Sequence, residues 1–291
     1  MNYKKKIIIW PVIILALAGL VYFFRADLTR LSFILTEKFS QLKEGSLDPL
    51  ITELQKQVSL PPPLRNSFEA SQSHLTQAGV ITWTNSQRAS QGLPLFVEDA
   101  KLNKAALLKA QDIFANQYFE HISPAGVGPD GLAEKVGYEF VAIGENLAMG
   151  NYKDDQTLVQ AWMDSPGHRA NILNSRYTQI GVAVVRGTFE GRATWMAVQE
   201  FGLPLSVCPT VDQALKAKII SNEAELEQLL GIIEAKRTEL ISGRIVSRKD
   251  YNKKVSEYND LVAQYNSLVD QNKSLKTLYN SQVQEYNNCI K

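Results

Sequence analysis

The sequence predicts a mixed α+β sandwich followed by a separate helical appendage. Three observations predict it. Apolar residues recur at helical spacing in three stretches between positions 75 and 163, and two β-rich runs follow at 180–185 and 194–201. From Pro209 to Lys291 there is no Trp or Phe, and Asn, Gln, Lys, Glu and Leu dominate instead.

The N-terminus reads as delivery equipment. Lys4, Lys5 and Lys6 precede Ile7–Phe24, which carries no charge. At ~1.5 Å per helical residue this span reaches ~27 Å, close to a ~30 Å hydrocarbon core, and lysines ahead of it favour a cytoplasmic tip. Residues 1–24 are therefore expected to be a single-pass transmembrane anchor with the rest of the chain extracytoplasmic. A signal peptide cut near Ala16-Leu17-Ala18 is the competing reading, and it would leave apolar Leu20–Phe24 at the mature end. Residues 25–74 hold a stretch at helical spacing (Leu28, Leu31, Ile34, Leu35, Phe39) and then a linker. Its Pro61-Pro62-Pro63 run is expected to be an extended, semi-rigid spacer. His74 there reads as a surface histidine.

Residues 75–206 form the expected domain. A helix over 75–91 stops at Gly92; Asp99 caps a second over 100–118, whose face of Leu102, Ala106, Ala110, Ile113 and Phe114 is core. A third covers 154–163, with Leu158, Val159 and Trp162 inward. The two β runs are expected to be antiparallel neighbours joined through Gly187–Gly191.

Residues 207–291 read as an antiparallel helical hairpin, with an intermolecular coiled coil as the other arrangement. Leu215, Ile219, Asn222, Leu226, Leu229, Ile233 and Leu240 keep 3/4 spacing. Ser242-Gly243 ends that helix, and Ser247 with Asp250 opens a second. In it Tyr251, Tyr258, Tyr265, Asn272, Tyr279 and Tyr286 recur every seven residues, as seam packing, with Asn222 and Asn272 as register-setting positions. Cys208 and Cys289 bracket the hairpin. A straight helix leaves Cys289 ~12 Å too far along, against the ~7 Å a disulfide tolerates, and an extended start over 209–212 closes part of that gap. The spacing leaves both a bond and free thiols open. Two cysteines exclude a disulfide framework and lack zinc-finger spacing. A net charge of +1, with no basic run interleaved with aromatics, argues against nucleic-acid binding.

Four short patterns stand in order between Tyr118 and Gly202: YFEHISPAG with His121, IGENLAMG with Glu145, AWMDSPGHRANIL with His168, and WMAVQEFG. Each histidine and Glu145 is fenced by Gly, Pro or Ser, which reads as three turns that folding brings together. Together the patterns resemble the CAP superfamily, also called the SCP/PR-1-like family, in its bacterial form. The resemblance covers roughly 75–205, a little under half the chain. It implies an α-β-α sandwich with a large open cleft, and a family mostly secreted or surface-exposed and better attested for binding than for catalysis.

The chain departs from the animal and plant branch. There a glutamate follows a Trp by three residues and a second histidine sits in a G-H-F/Y-T-Q pattern. Here those places hold Ser165 and Arg176, so only His121 and Glu145 carry over directly. His168 belongs to the bacterial pattern. Glu200 falls where the family varies and is a secondary candidate. Two imidazoles and a carboxylate form a set that suits Zn²⁺ with an open position, or a His–Glu acid/base pair. A guanidinium of Arg176 directed into the cleft would oppose a cation and favour an anion. The leading functional reading is a membrane-anchored binding module for lipid, glycan or peptide. The alternative is a hydrolase of peptide or cell-wall material using His121, His168 and Glu145. No Ser or Cys has a nucleophile signature, and Ser123 and Ser165 are explained as turn residues.

Overall fold

The computed structural model describes residues 54–66, 70, 72–242 and 247–291. The expected membrane span and the helical stretch after it lie outside the described residues, among which no helix is long and apolar enough to cross a membrane. The chain divides into two compact units: Glu53–Pro209 with Asn287–Lys291, and a helical unit that includes Thr210–Tyr286. The last five residues thus belong with the first unit, not with the hairpin.

The first unit is built on a mixed six-stranded sheet: β1 (Gln57–Ser59), β2 (Leu64–Arg65), β3 (Val97–Glu98), β4 (Phe140–Met149), β5 (Gln179–Phe189) and β6 (Arg192–Pro204). The order is β1-β4-β6-β5-β3, with β2 also on β4. The β4–β6 and β5–β6 pairs are antiparallel; β1 and β2 run parallel to β4, and β3 to β5. The two β-rich runs of the sequence are therefore neighbours, as expected, but longer, and they turn through Glu190–Gly191 alone. Both turn residues have positive φ (48° and 77°), the geometry that matches the twist of a tight hairpin.

Helices cover both faces. On one lie α1 (Gln77–Ser90), α4 (Asp155–Asp164) and α5 (Pro166–Ile172); on the other α2 (Ala100–Asn116) and α3 (Pro129–Lys135). The first core joins Val80, Leu158, Val159 and Trp162 to Ala142, Ala148, Val182, Ala197 and Phe201. The second joins Ala106, Ala110 and Ile113 to Leu147, Ala183, Met196 and Val198. Alternate residues of each strand serve opposite cores, which makes the unit an α-β-α sandwich. The caps are those of the sequence: Asp99 accepts from the Lys101 and Leu102 N–H groups, and Gly92, at φ 69°, follows α1. Gly181 lets α2 lie directly on β5. A Cβ there would come within 2.1 Å of the Leu102 main chain.

The segment expected to be a free spacer is not one. Ser59 and Leu64 flank the triple proline, and the residues on either side of it add to the outer edge of β4. Proline lacks an N–H but keeps its carbonyl, so an extended proline run can lie along a sheet edge provided its carbonyls find donors.

The second unit pairs α6 (Gln213–Ile241) with α7 (Arg248–Cys289). Leu226, Ile233 and Leu240 pack on Tyr258, Val262, Tyr265 and Val269, and Ile219 packs on Tyr279 and Val283. Ion pairs Lys236–Glu257, Lys254–Glu239 and Lys276–Glu223 repeat the antiparallel register. Ser247 accepts from the Asp250 N–H, the cap expected there. Cys208 and Cys289 are joined by a disulfide, their Cα atoms 5.6 Å apart. The 12 Å gap of a straight-helix estimate disappears because α6 does not begin until Gln213, after an extended approach.

Candidate functional site

β4 carries the first site residue. All ten of its residues are buried, so the strand shows none of the alternation that marks a half-exposed strand. Glu145 is thus not in a turn, as its Gly144 neighbour suggested, but at the middle of a buried strand. It faces α2, the side of Ile143, Leu147 and Met149. His168 is likewise not in a turn. Pro166 is the first residue of α5, where a missing N–H costs nothing, and His168 sits one turn in. Only His121 lies in a loop, after the left-handed Gln117 that ends α2.

His121 and Glu145 meet: Nδ1 lies 2.6 Å from Oε1, with both side chains buried. The other ring nitrogen, Nε2, donates to the main-chain carbonyl of Pro61. A carbonyl only accepts, so Nε2 carries hydrogen, and one proton is shared between Nδ1 and Glu145. Lys109 closes the site from below. It lies on the buried stripe of α2 and its Nζ donates to the His121 carbonyl at 2.5 Å and to Tyr118 Oη at 3.2 Å. Burial lowers its pKa, while the charge of Glu145 acts to raise it.

Glu200 stands opposite Glu145 across the β4–β6 pair. It is fully buried, and neither of its oxygens nor Glu145 Oε2 has a donor. Burial first, and then the charge of the facing Glu145, push the Glu200 carboxyl well above the usual range. A proton held on Glu200 supplies the donor that the facing carboxylates otherwise lack.

His168 comes to the same edge from the other face of the sheet. Its Nδ1 lies 2.8 Å from Ser165 Oγ and its Nε2 has no partner. Burial first, and the neighbouring His121 ring second, hold its pKa down at about 4, so the His168 ring is neutral at ordinary pH. A buried amide network fixes this side: Asn146 Nδ2 donates to the His168 carbonyl and to Gln199, Gln199 donates to Thr84, and Asn171 Nδ2 donates to Asn146 Oδ1.

Pro61 joins the two histidines. Its carbonyl is on His121, and a Cβ added to Gly167, next to His168, would lie 2.7 Å from Pro61 Cβ. Arg176 does not point at the imidazoles; it donates to the Gln57 side chain of β1. Zinc does not fit this arrangement. Both His121 nitrogens are engaged, and among the described residues no three His, Cys, Asp or Glu side chains gather as a metal-holding group. Sequence reasoning passed over Lys109 and Pro61 and gave Glu200 second place. A signal for Lys109 was present: it is a charge on the apolar stripe between Ala106 and Ile113.

An α-β-α sandwich with a buried His–Glu pair under one sheet edge is the class of protein this fold and site define. The model of the cysteine-rich secretory protein (CAP) family matches residues 82–201, a little over two fifths of the chain. The chain is 42% identical over 106 residues to the Bacillus subtilis (strain 168) "Uncharacterized protein YkwD", covering 36% of this chain and 41% of that one. To the "Uncharacterized membrane protein YlbC" of the same organism it is 35% identical over 107 residues, covering 37% and 31%. The chain thus spans well under half the length of these relatives. Among solved structures, an extracellular SCP-domain protein from Bacillus anthracis str. Ames aligns at 28% identity with a TM-score of 0.38, over 43% of this chain and 39% of that one.

Proposed function

We propose that this chain is an extracytoplasmic binding protein, held at a membrane by residues 7–24, whose CAP domain takes its ligand at the edge of β4 without turning it over. The observation that carries this reading is the state of His121. A general base must offer a lone pair to the proton it removes. His121 instead donates from Nε2 to a main-chain oxygen and shares its other nitrogen with Glu145. Such an imidazole is a fixed donor, suited to holding an oxygen acceptor in a dry place. The location rests on three supports. The uncharged span follows three lysines; the Cys208–Cys289 bond suits an oxidising compartment; and the relative YlbC is described as a membrane protein.

Protease added to intact cells should cut the region between Tyr118 and Gly202; protection until the membrane is broken would overturn the location. Calorimetric titration of the purified chain with phosphatidylglycerol vesicles, N-acetylglucosamine oligomers and proline-containing peptides tests the binding role. Saturable heat with no product by mass spectrometry is the expected result. Product formation that disappears in His121→Ala would make the chain a hydrolase.

A further inference from the structure

The edge of β4 at the candidate site is occupied by the chain's own residues 56–66. Val58 pairs with Ile143 and Leu64 with Ala148, while the prolines bridge the interval over Glu145, Asn146 and Leu147. This segment lies ahead of the matched family domain, which begins at residue 82. We infer that the groove along β4 is a binding site for an extended, proline-containing polypeptide strand supplied by another protein, and that residues 56–66 occupy it as a tethered competitor. This rests on the binding role proposed above and names its ligand class.

The manner in which the segment is held carries the inference. It is recognised mostly through its main chain: the Pro61 carbonyl by His121, the Ser59 carbonyl by Asn171, and short ladders of three and two residues by β4. Its flanking side chains are left largely outside. Val58 is 42% exposed and Leu60 37%. Recognition through backbone groups at a sheet edge, with pockets for a few side chains, is how sheets accept a strand from another chain.

Besides Gln57, which accepts from Arg176 and donates to the Lys291 carbonyl, three side chains of the segment are read. Pro61 is the buried one, seated where Gly167 leaves room. Proline suits the place because it is pre-extended and has no N–H to leave unpaired beside His121. Lys56 pairs with Glu134 at one end, and the Arg65 guanidinium lies 5.2 and 5.5 Å from the ring centres of Phe119 and Phe189 at the other. The favoured strand therefore runs parallel to β4, with a basic residue five before the proline and another four after it. The terminal charges steer and set register more than they hold, since exposed pairs contribute at most ~1 kcal/mol.

The test uses the full chain and a fluorescein-labelled peptide of residues 56–66. In one variant a Gly/Ser sequence of equal length replaces residues 57–65. A tethered competitor acts at an effective concentration near the millimolar range, so the variant should bind the peptide roughly tenfold or more tighter than the unaltered chain. Adding Gly167→Ala to the variant should weaken that binding, because the new Cβ takes the proline's place. A folded variant that binds vesicles or glycan saturably but no peptide overturns this inference and leaves the binding role standing. One that binds none of the three overturns both. A dimer of the unaltered chain that disappears on replacement would put a second copy in the groove and overturn the assignment to another protein. Should the variant not fold, hydrogen exchange of the unaltered chain decides. Exchange at Val58, Ser59, Leu64 and Arg65 well ahead of β6 supports a displaceable strand; exchange only together with β6 makes the segment a fixed part of the sheet.

Discussion

Replacing Glu200 by Gln should change how stability depends on pH, and the two buried titrating groups of the site fix the signs. Glu200 has its pKa raised in the folded state, chiefly by burial and then by Glu145. The folded chain therefore keeps a proton that the unfolded chain releases above about pH 4.3, and each further pH unit costs about 1.4 kcal/mol until the folded carboxyl ionises. His168 works the other way. Its folded value of about 4 lies below its ordinary 6.5, so the unfolded chain binds the extra proton between these values. That contribution is fully present above about pH 6.5 and is lost on acidification, on the order of 3 kcal/mol in all. Above about pH 4.3, while the folded Glu200 carboxyl still holds its proton, the two slopes oppose each other and the rise due to His168 is offset. Glu200→Gln keeps the shape and removes the titration. Its stability should rise from about pH 4.5 to 6.5 without the opposing loss, so the gap between it and the unaltered chain should widen as the pH rises. Urea unfolding followed by tryptophan emission reads mostly this unit, since three of the chain's four tryptophans, Trp83, Trp162 and Trp195, lie in it, only Trp10 lies outside it, and the helical pair has none. Parallel pH profiles for the two proteins would refute the protonated Glu200.

Three further outcomes are expected. Gly181→Ala should destabilise the sandwich by about 1–3 kcal/mol, seen as a lower Tm, because its Cβ would overlap the Leu102 backbone and α2 must move away. Reducing Cys208–Cys289 should destabilise the helical pair by about 4–5 kcal/mol on the loop-entropy account, given a separation of 81 residues, and circular dichroism with and without reductant measures it. Asn272→Leu should raise the melting temperature of the same unit by removing a buried amide with no partner, worth about 1–3 kcal/mol, and a drop would show that the amide has one.

Caps and one-sided helices were legible in the sequence because their signals are local. Asp99, Gly92 and the Ser247–Asp250 pair act within a few residues of themselves. The β5–β6 hairpin was legible too, from β-branched residues around a glycine turn. β4 was not: a strand buried on both faces has no period, and GENLAM reads as a loop around a glycine. Helix α5 hid behind Ser165-Pro166-Gly167, which reads as a break although proline at the first position starts a helix. The membership of His121 and Glu145 in one site came through the ordered patterns, but not the third member. Nothing local says that Pro61, 60 residues ahead of His121, supplies the acceptor for its ring. That contact depends on a sheet edge existing to receive the segment, and the sheet is assembled from strands far away in the chain.

The disulfide has a mechanical meaning as well. It joins residue 208 to residue 289, and the Lys291 carbonyl is further bound to the Gln57 side chain. Tension applied between the N-terminal side of the sandwich and the C-terminus passes through the sulfur bridge and leaves the two long helices slack. Roughly 280 Å of chain, 81 residues at about 3.5 Å each, is withheld from extension while the bridge is intact. A pulling experiment on the oxidised chain would record a contour shorter by that length, and reductant would release it in one step.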